Sequence, residues 1–157
     1  MERILGVDPG SRITGYGVIE ADRGRLRFIA CGVVKTTVKY PFNNRLGEIF
    51  DGLNEVVQVH NPVVAAVEDV FLSENPRSAL KLGQARGAAV VAAIQNGLQV
   101  FDYTPRAIKQ AVSGYGQADK GQMQHMVRIL LGLSGTPSTD AADALAVAIC
   151  HANQLNL

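Results

Sequence analysis

Arg3-Ile4-Leu5-Gly6-Val7-Asp8-Pro9-Gly10 is an apolar run that ends on an aspartate and then turns. Ile4, Leu5 and Val7 belong in an interior, so the segment predicts a buried strand. A carboxylate at the end of such a strand is costly unless it has a partner, often a metal ion. Two explanations stand for Asp8. Asp8-Pro9-Gly10 is a turn signal that closes the strand, or Asp8 is a ligand held still by it. For Asp8 alone the turn is the simpler explanation. The ligand explanation gains only if other elements bring acids to the same place.

Outward from this strand, Thr14–Ile19 predicts a second one. Leu26–Lys35 predicts a third, with Leu26, Phe28, Ala30, Gly32 and Val34 on one face and Arg25 and Arg27 on the other. The short links make an antiparallel meander. Pro41 opens a helix with the stripe Leu46, Ile49, Phe50, Leu53, Val56 and Val57; Arg45, Glu48, Asp51, Asn54 and Glu55 are expected to face water. Asn61-Pro62 breaks it. Val63–Val67 is apolar, bounded and too short for a helix, so it predicts a strand covered on both faces, ending on Glu68 and Asp69. An Ala/Gly-rich helix over 77–95 and a fifth strand at Leu98–Phe101 follow. Thr104 and Pro105 suit the N-cap and first position of the next helix. Asp119 caps another, with the stripe Met123, Met126, Val127, Leu130 and Leu131, and a last helix runs from about Asp140 to Asn153. The order β-β-β-α-β-α-β-α-α-α predicts an α/β fold, one domain over residues 1–157 with a mixed sheet.

The chain is 47% hydrophobic and 18% charged, as a globular protein is. No apolar stretch approaches a membrane span, and Met-Glu-Arg-Ile-Leu lacks a basic segment followed by a long apolar one, so a secretory signal is not expected. Cys31 and Cys150 lack metal-type spacing and are expected to be free thiols in a reducing cytoplasm. The net charge of +1 is unevenly spread. Residues 77–128 carry seven basic and two acidic side chains, and the segments on either side are net acidic. A basic middle suits a phosphate-bearing polymer, although any one of these cations is adequately explained as a solvated helix face.

Three separate elements begin or end on acids. Asp8 closes the first strand, Glu68 closes the fourth, and Asp140 and Asp143 sit three apart in the first turn of the last helix, on one face. If these elements are neighbours, four carboxylates converge at the carboxyl ends of strands, where α/β folds place their sites. An all-oxygen cluster without Cys or His suits Mg²⁺ or Mn²⁺ rather than zinc. Two such ions about 3.5–4 Å apart are a device for in-line attack on a phosphodiester. Each acid also has a structural explanation, since acids in a first helical turn cap free amides and Glu68 can mark a strand entering solvent. Asp69 points away from Glu68 and is left out. His60, His125 and His151 are scattered, and there is neither a nucleophile triad nor a Walker-type loop.

Ile4–Val18 (ILGVDPGSRITGYGV), Val67–Phe71 (VEDVF), Ser78–Gly87 (SALKLGQARG), Gln124–Arg128 (QHMVR) and Asp140–Ala146 (DAADALA) together resemble the RuvC-type Holliday junction resolvases. The motifs match in order and spacing over essentially the whole chain. The resemblance implies a ribonuclease-H-like fold: a five-stranded mixed sheet, its first three strands antiparallel, flanked by helices. It implies a homodimeric, Mg²⁺-dependent endodeoxyribonuclease that resolves four-way DNA junctions by paired symmetric nicks in homologous recombination and DNA repair. Two Mg²⁺ per subunit are expected, with Mn²⁺ able to substitute, and the products are a 5′-phosphate and a 3′-hydroxyl. The implied setting is the bacterial cytoplasm, at the nucleoid during repair, with the RuvA and RuvB branch-migration proteins as partners and no membrane.

By position, the family's metal-binding and catalytic acids fall on Asp8, Glu68, Asp140 and Asp143; some members have histidine where this chain has Asp140. Phe71 matches an aromatic that contacts unstacked bases, and Lys109 and Lys120 match lysines lining the DNA cleft. Arg77, Lys81 and Arg86 are weaker candidates for DNA contact. Glu74 is an acid in a loop expected to face DNA, which argues against that loop as a simple basic clamp. In the helix at 77–95, Gly83, Ala85, Gly87, Ala88 and Ala89 suit equally a close packing on the sheet or a dimer interface, and the resemblance favours the interface. A different ribonuclease-H-like nuclease, such as a pre-ribosomal-RNA processing enzyme, lacks the matches at Lys81–Gly87 and Gln124–Arg128. A non-catalytic junction-binding module would lack an acid, and none is missing. An actin-like nucleotide binder needs two lobes, for which the chain is too short.

Overall fold

A computed structural model describes residues 1–70 and 75–155. Strand β1 (Glu2–Asp8) occupies the middle of a five-stranded sheet ordered β3-β2-β1-β4-β5. β2 (Ile13–Asp22) pairs antiparallel with β1, and β3 (Arg25–Lys35) antiparallel with β2. On the other side β4 (Val64–Glu68) and β5 (Gln99–Tyr103) run parallel to β1. The central place of β1 follows from its side chains. Ile4 packs into one core while Leu5 and Val7 pack into another, so both faces must be covered. β4 divides in the same way, Val64 and Ala66 to one core and Ala65 and Val67 to the other.

Helices α1 (Phe42–His60) and α2 (Pro76–Gln95) cover the face bearing Leu5 and Val7, burying Ile49, Leu53, Val56 and Val57 from α1 and Ala85, Ala89, Ala92 and Ala93 from α2. Helix α5 (Thr139–Gln154) covers the opposite face, with α3 (Pro105–Ser113) and α4 (Lys120–Leu131) packed against it. Between Ala141 and Ala152 of α5, only Asp143 is not buried. The predicted caps are present. Thr104 accepts from the Ala107 amide, and Asp119 forms a capping box with Gln122.

Two glycines let α5 come down onto the sheet. A Cβ on Gly6 would lie 2.0 Å from the carbonyl oxygen of Ala144, and a Cβ on Gly15 would lie 2.0 Å from that of Asp140. Both clashes are with backbone, so no side-chain rotation relieves them.

The structure corrects three local expectations. β3 does not keep one face from end to end: Val18 pairs with Ala30 but Ile19 with Phe28, so Ile29 is an extra residue in a bulge. Leu26, Phe28 and Cys31 therefore pack on the α5 side, and Ile29 and Val34 on the α1 side. Arg45 does not face water but is buried beneath the start of α1, because its guanidinium finds acceptors there. Leu130 stays exposed, since α4 turns only Met123 and Val127 fully inward.

Gly15→Ala should lose about 3 kcal/mol of stability or disrupt the fold, in line with overpacking against backbone. Gly47→Ala, at an open helical position where the added Cβ would meet nothing within 4 Å, should gain about 0.5–1 kcal/mol. Urea denaturation of the two variants checks both signs.

Candidate active site

Backbone register assembles the site. The last paired rung between β1 and β4 is Val7 with Val67, which leaves Asp8 and Glu68 side by side at the carboxyl ends of adjacent parallel strands. Across β1 in the other direction, Asp8 pairs with Gly15, the residue on which the Asp140 backbone rests. One helical turn further, Asp143 enters the same space. Asp8, Glu68, Asp143, Lys109 and Lys120 line a cleft of about 390 Å³, with Ile108 and Met123 forming its apolar wall. Asp140 stands at the edge, outside the lining residues, yet its charge acts on both Asp8 and Asp143.

The electrostatics are those of too many acids in too little water. Burial, and then the hydrogen bond and charge of Glu68, push Asp8 up to about 8, with Asp140 adding to the rise and Lys120 opposing it. Burial and the Asp8 charge push Asp143 up to about 6, again against Lys120. The Lys120 ammonium lies 3.5 Å from Asp143 Oδ2. A hydrogen bond between two carboxyl groups requires a proton on one of them. Among the described residues, no three Asp, Glu, His or Cys side chains already close around one point as a finished metal cage. The donor set is all carboxylate oxygen, which suits a divalent cation.

The turn that follows Asp8 is held by its own residues. The Thr14 hydroxyl, fully buried, donates to the Gly10 carbonyl at 3.0 Å and accepts from the Gly10 amide at 3.3 Å. Asp119 also borders the cleft, but its carboxylate is engaged in capping α4. Asp69 lies on the side away from Glu68, 3.8 Å from Arg86, as the strand alternation predicts.

Of the other candidate residues, Lys109 and Lys120 are at the cleft, while Arg77 and Lys81 lie on α2 away from its lining. The Lys81 ammonium stands 5.6 Å over the Phe42 ring. Arg86 is not a free cation: it pairs with Asp102 as well as Asp69 and clamps the ends of β4 and β5. Phe71 and Glu74 lie outside the described residues. His125 is exposed, and His151 is buried with its Nδ1 2.6 Å from the Tyr103 hydroxyl, so neither joins the acids. Both cysteines are free thiols, as expected. A larger and shallower depression of about 610 Å³, between β3 and the α4–α5 connection, contains no carboxylate. The residues missed from sequence are the wall formed by Ile108 and Met123; both are apolar helix positions, and nothing in their spacing separates a cleft wall from a core.

Residues 4–151 match the family described as "Crossover junction endodeoxyribonuclease RuvC". The crossover junction endodeoxyribonuclease RuvC of Acinetobacter baumannii (strain ATCC 17978) is 56% identical over 154 residues, 98% of this chain and 84% of that protein. That of Alkalilimnicola ehrlichii is 53% identical over 157 residues, 100% of this chain and 94% of that protein. Among solved structures, Thermus thermophilus RuvC in complex with Holliday junction substrate superposes with a TM-score of 0.92 at 37% identity, covering 99% of this chain and 96% of that one. The yeast mitochondrial Holliday junction resolvase Ydc2 shares the fold, with a TM-score of 0.68 at 12% identity over 96% of this chain and 79% of that one. The ribonuclease-H-like arrangement expected from the sequence is the one observed.

The raised acids set a pH dependence. Asp8 and Asp143 hold protons more tightly folded than unfolded, so the stability they contribute is complete below about 4 and is lost as pH rises towards 8. In buffer free of divalent cations, the melting temperature should fall across that window. Asp8→Asn should raise it at pH 8 and flatten the slope, which calorimetry across the pH range measures.

Proposed function

Because the chain belongs to the RuvC family of crossover junction endodeoxyribonucleases, we propose that it resolves four-way DNA junctions by paired, symmetric phosphodiester hydrolysis with two Mg²⁺ ions per subunit, Mn²⁺ substituting. The observation that carries this reading is the delivery of Asp8, Glu68 and Asp143 by β1, β4 and α5 to one cleft that also holds Lys109 and Lys120, with Asp140 at its edge and its charge felt by Asp8 and Asp143. The four acids would hold the ions, which when bound supply Lewis acidity at the attacked phosphate and at the leaving 3′ oxygen. The products are then a 5′-phosphate and a 3′-hydroxyl, ends that ligation can seal.

The chain's own residues have separable tasks. Lys120, paired with Asp143, limits repulsion among the acids and meets a DNA phosphate together with Lys109. Ile108 and Met123 keep one wall of the cleft dry, which strengthens every charge interaction inside it. Phe71, which follows β4 closely in sequence, stacks on an unpaired base at the crossover. Arg77 and Lys81 on α2 meet the DNA arms; Lys81 keeps its place over Phe42. The setting is recombination and repair in the bacterial cytoplasm, with the RuvA and RuvB branch-migration proteins as partners.

A junction near two-fold symmetry calls for two identical sites at a fixed spacing, which a two-fold dimer provides. Helix α2 supports this. Its inner face buries Ala85, Ala89, Ala92 and Ala93, and its outer face exposes Leu80, Val91 and Ile94 around Gly83 and Gly87, where an added Cβ would meet nothing within 4 Å. The small residues named from sequence thus divide between both explanations: the alanines pack inward, and the glycines leave an outer face that a second copy can approach closely.

Asp8→Asn should still bind a synthetic four-way junction but cut it at least ~10³-fold more slowly with Mg²⁺, since losing a ligand forfeits several kcal/mol of transition-state stabilisation. Cutting at the wild-type rate would exclude the metal site. Equal cutting of linear duplex and junction by the wild type would leave a nuclease but not a resolvase. Val91→Arg should shift the sedimentation coefficient from dimer to monomer and abolish paired nicking; a dimer that survives it uses another face.

A further inference from the structure

We propose that Arg45 is a positioning residue for Asp8: from the start of α1 it locks the turn that follows β1 and thereby fixes the carboxylate that holds the metal. This rests on the reading of Asp8 as a metal ligand. Arg45 is only 7% exposed, and Thr36 beside it 8%. Arg45 Nε donates to Thr36 Oγ1 at 3.1 Å, and Arg45 Nη2 donates to the Ser11 carbonyl at 2.7 Å. Thr36 Oγ1 donates to the same Ser11 carbonyl at 2.8 Å, and the Thr36 amide donates to the Arg12 carbonyl at 2.9 Å. With Thr14 holding Gly10, three consecutive residues after Asp8-Pro9 are each tied down, by Thr14 of β2, by Thr36 just after β3 or by Arg45 of α1.

The choice of residue is informative. Among the described residues no carboxylate lies within ion-pair distance of Arg45, and its only other charge-specific contact is the Phe42 ring, 5.4 Å from the guanidinium carbon. A buried cation without a counter-charge is a poor way to stabilise a fold. A planar fork that reaches a hydroxyl and a carbonyl together is a good way to hold a turn in one geometry, and a lysine cannot reproduce it. Groups that orient a metal ligand from behind change metal affinity when removed, even where the fold survives.

The test uses the full chain, a synthetic four-way junction and Mg²⁺. Arg45→Met keeps the packing volume and removes the fork. It should need ~10–100-fold more Mg²⁺ for half-maximal cleavage. The same shift should appear in the Mg²⁺ concentration that raises its melting temperature, while junction binding in chelator stays at the wild-type level. A folded Arg45→Met with wild-type Mg²⁺ dependence in both measurements overturns the proposal, and a lowered melting temperature alone would show a purely structural role. If Arg45→Met does not fold, Thr36→Val, which keeps the cation and removes the bridging hydroxyl, decides by the same two readouts. A wild-type protein that responds to Mg²⁺ in neither measurement overturns the ligand reading of Asp8 itself, and the proposal with it.

Discussion

Helix α5 rests on the sheet backbone against backbone, and the meeting of its two acids with those at the strand ends follows from that contact. Most helices stand off a sheet by the length of the side chains between them. Here Gly6 and Gly15 remove those side chains under Ala144 and Asp140. The first turn of α5 is thereby brought level with the end of β1, so two carboxylates on a helix meet two on strands. Gly15 is the cross-strand partner of Asp8. The seat of the helix and the seat of Asp8 are therefore one rung of one ladder, and neither can shift without the other.

The same closeness makes the site electrostatically unfavourable as it stands. Burial and mutual repulsion raise Asp8 and Asp143 well above ordinary carboxylates, and Lys120 offsets only part of this. Strain of this kind at a functional cluster is expected where the missing charge arrives with a ligand. The surrounding fold tolerates it because both faces of β1 are packed by apolar side chains, and a strand so fixed cannot relax by moving away.

Much of this was legible in the chain. Asp8, Glu68, Asp140 and Asp143 could be read because each closes or opens an element whose apolar pattern is unambiguous. The caps at Thr104 and Asp119 are local chemistry and survive any tertiary context. Other features depend on contacts that spacing does not encode. Arg45 was expected in water because it sits one residue before an apolar stripe, and its acceptors, Ser11 and Thr36, come from other parts of the chain. The bulge at Ile29 interrupts a strand that reads as perfectly alternating, because it answers to the register of β2 rather than to its own composition. Arg86 looked like a free cation in a basic stretch, and only the approach of β4 and β5 shows that Asp69 and Asp102 already engage it. The insertion of β1 between β2 and β4 is likewise a property of the whole sheet, anticipated only by the buried look of both central strands.

The place of α5 in the order of synthesis has its own consequence. It is the last helix of the described chain and also the most deeply enclosed, so a nascent polypeptide lacking it would leave the sheet bared at Gly6 and Gly15. Domains form as their segments leave the ribosome, and unfinished apolar faces invite misassembly. Two of the four acids also arrive only with this helix. An incomplete chain would therefore hold Asp8 and Glu68 without their counterparts. Completion of the fold and completion of the acid cluster would then coincide, because the segment that covers this sheet face is the one that carries Asp140 and Asp143.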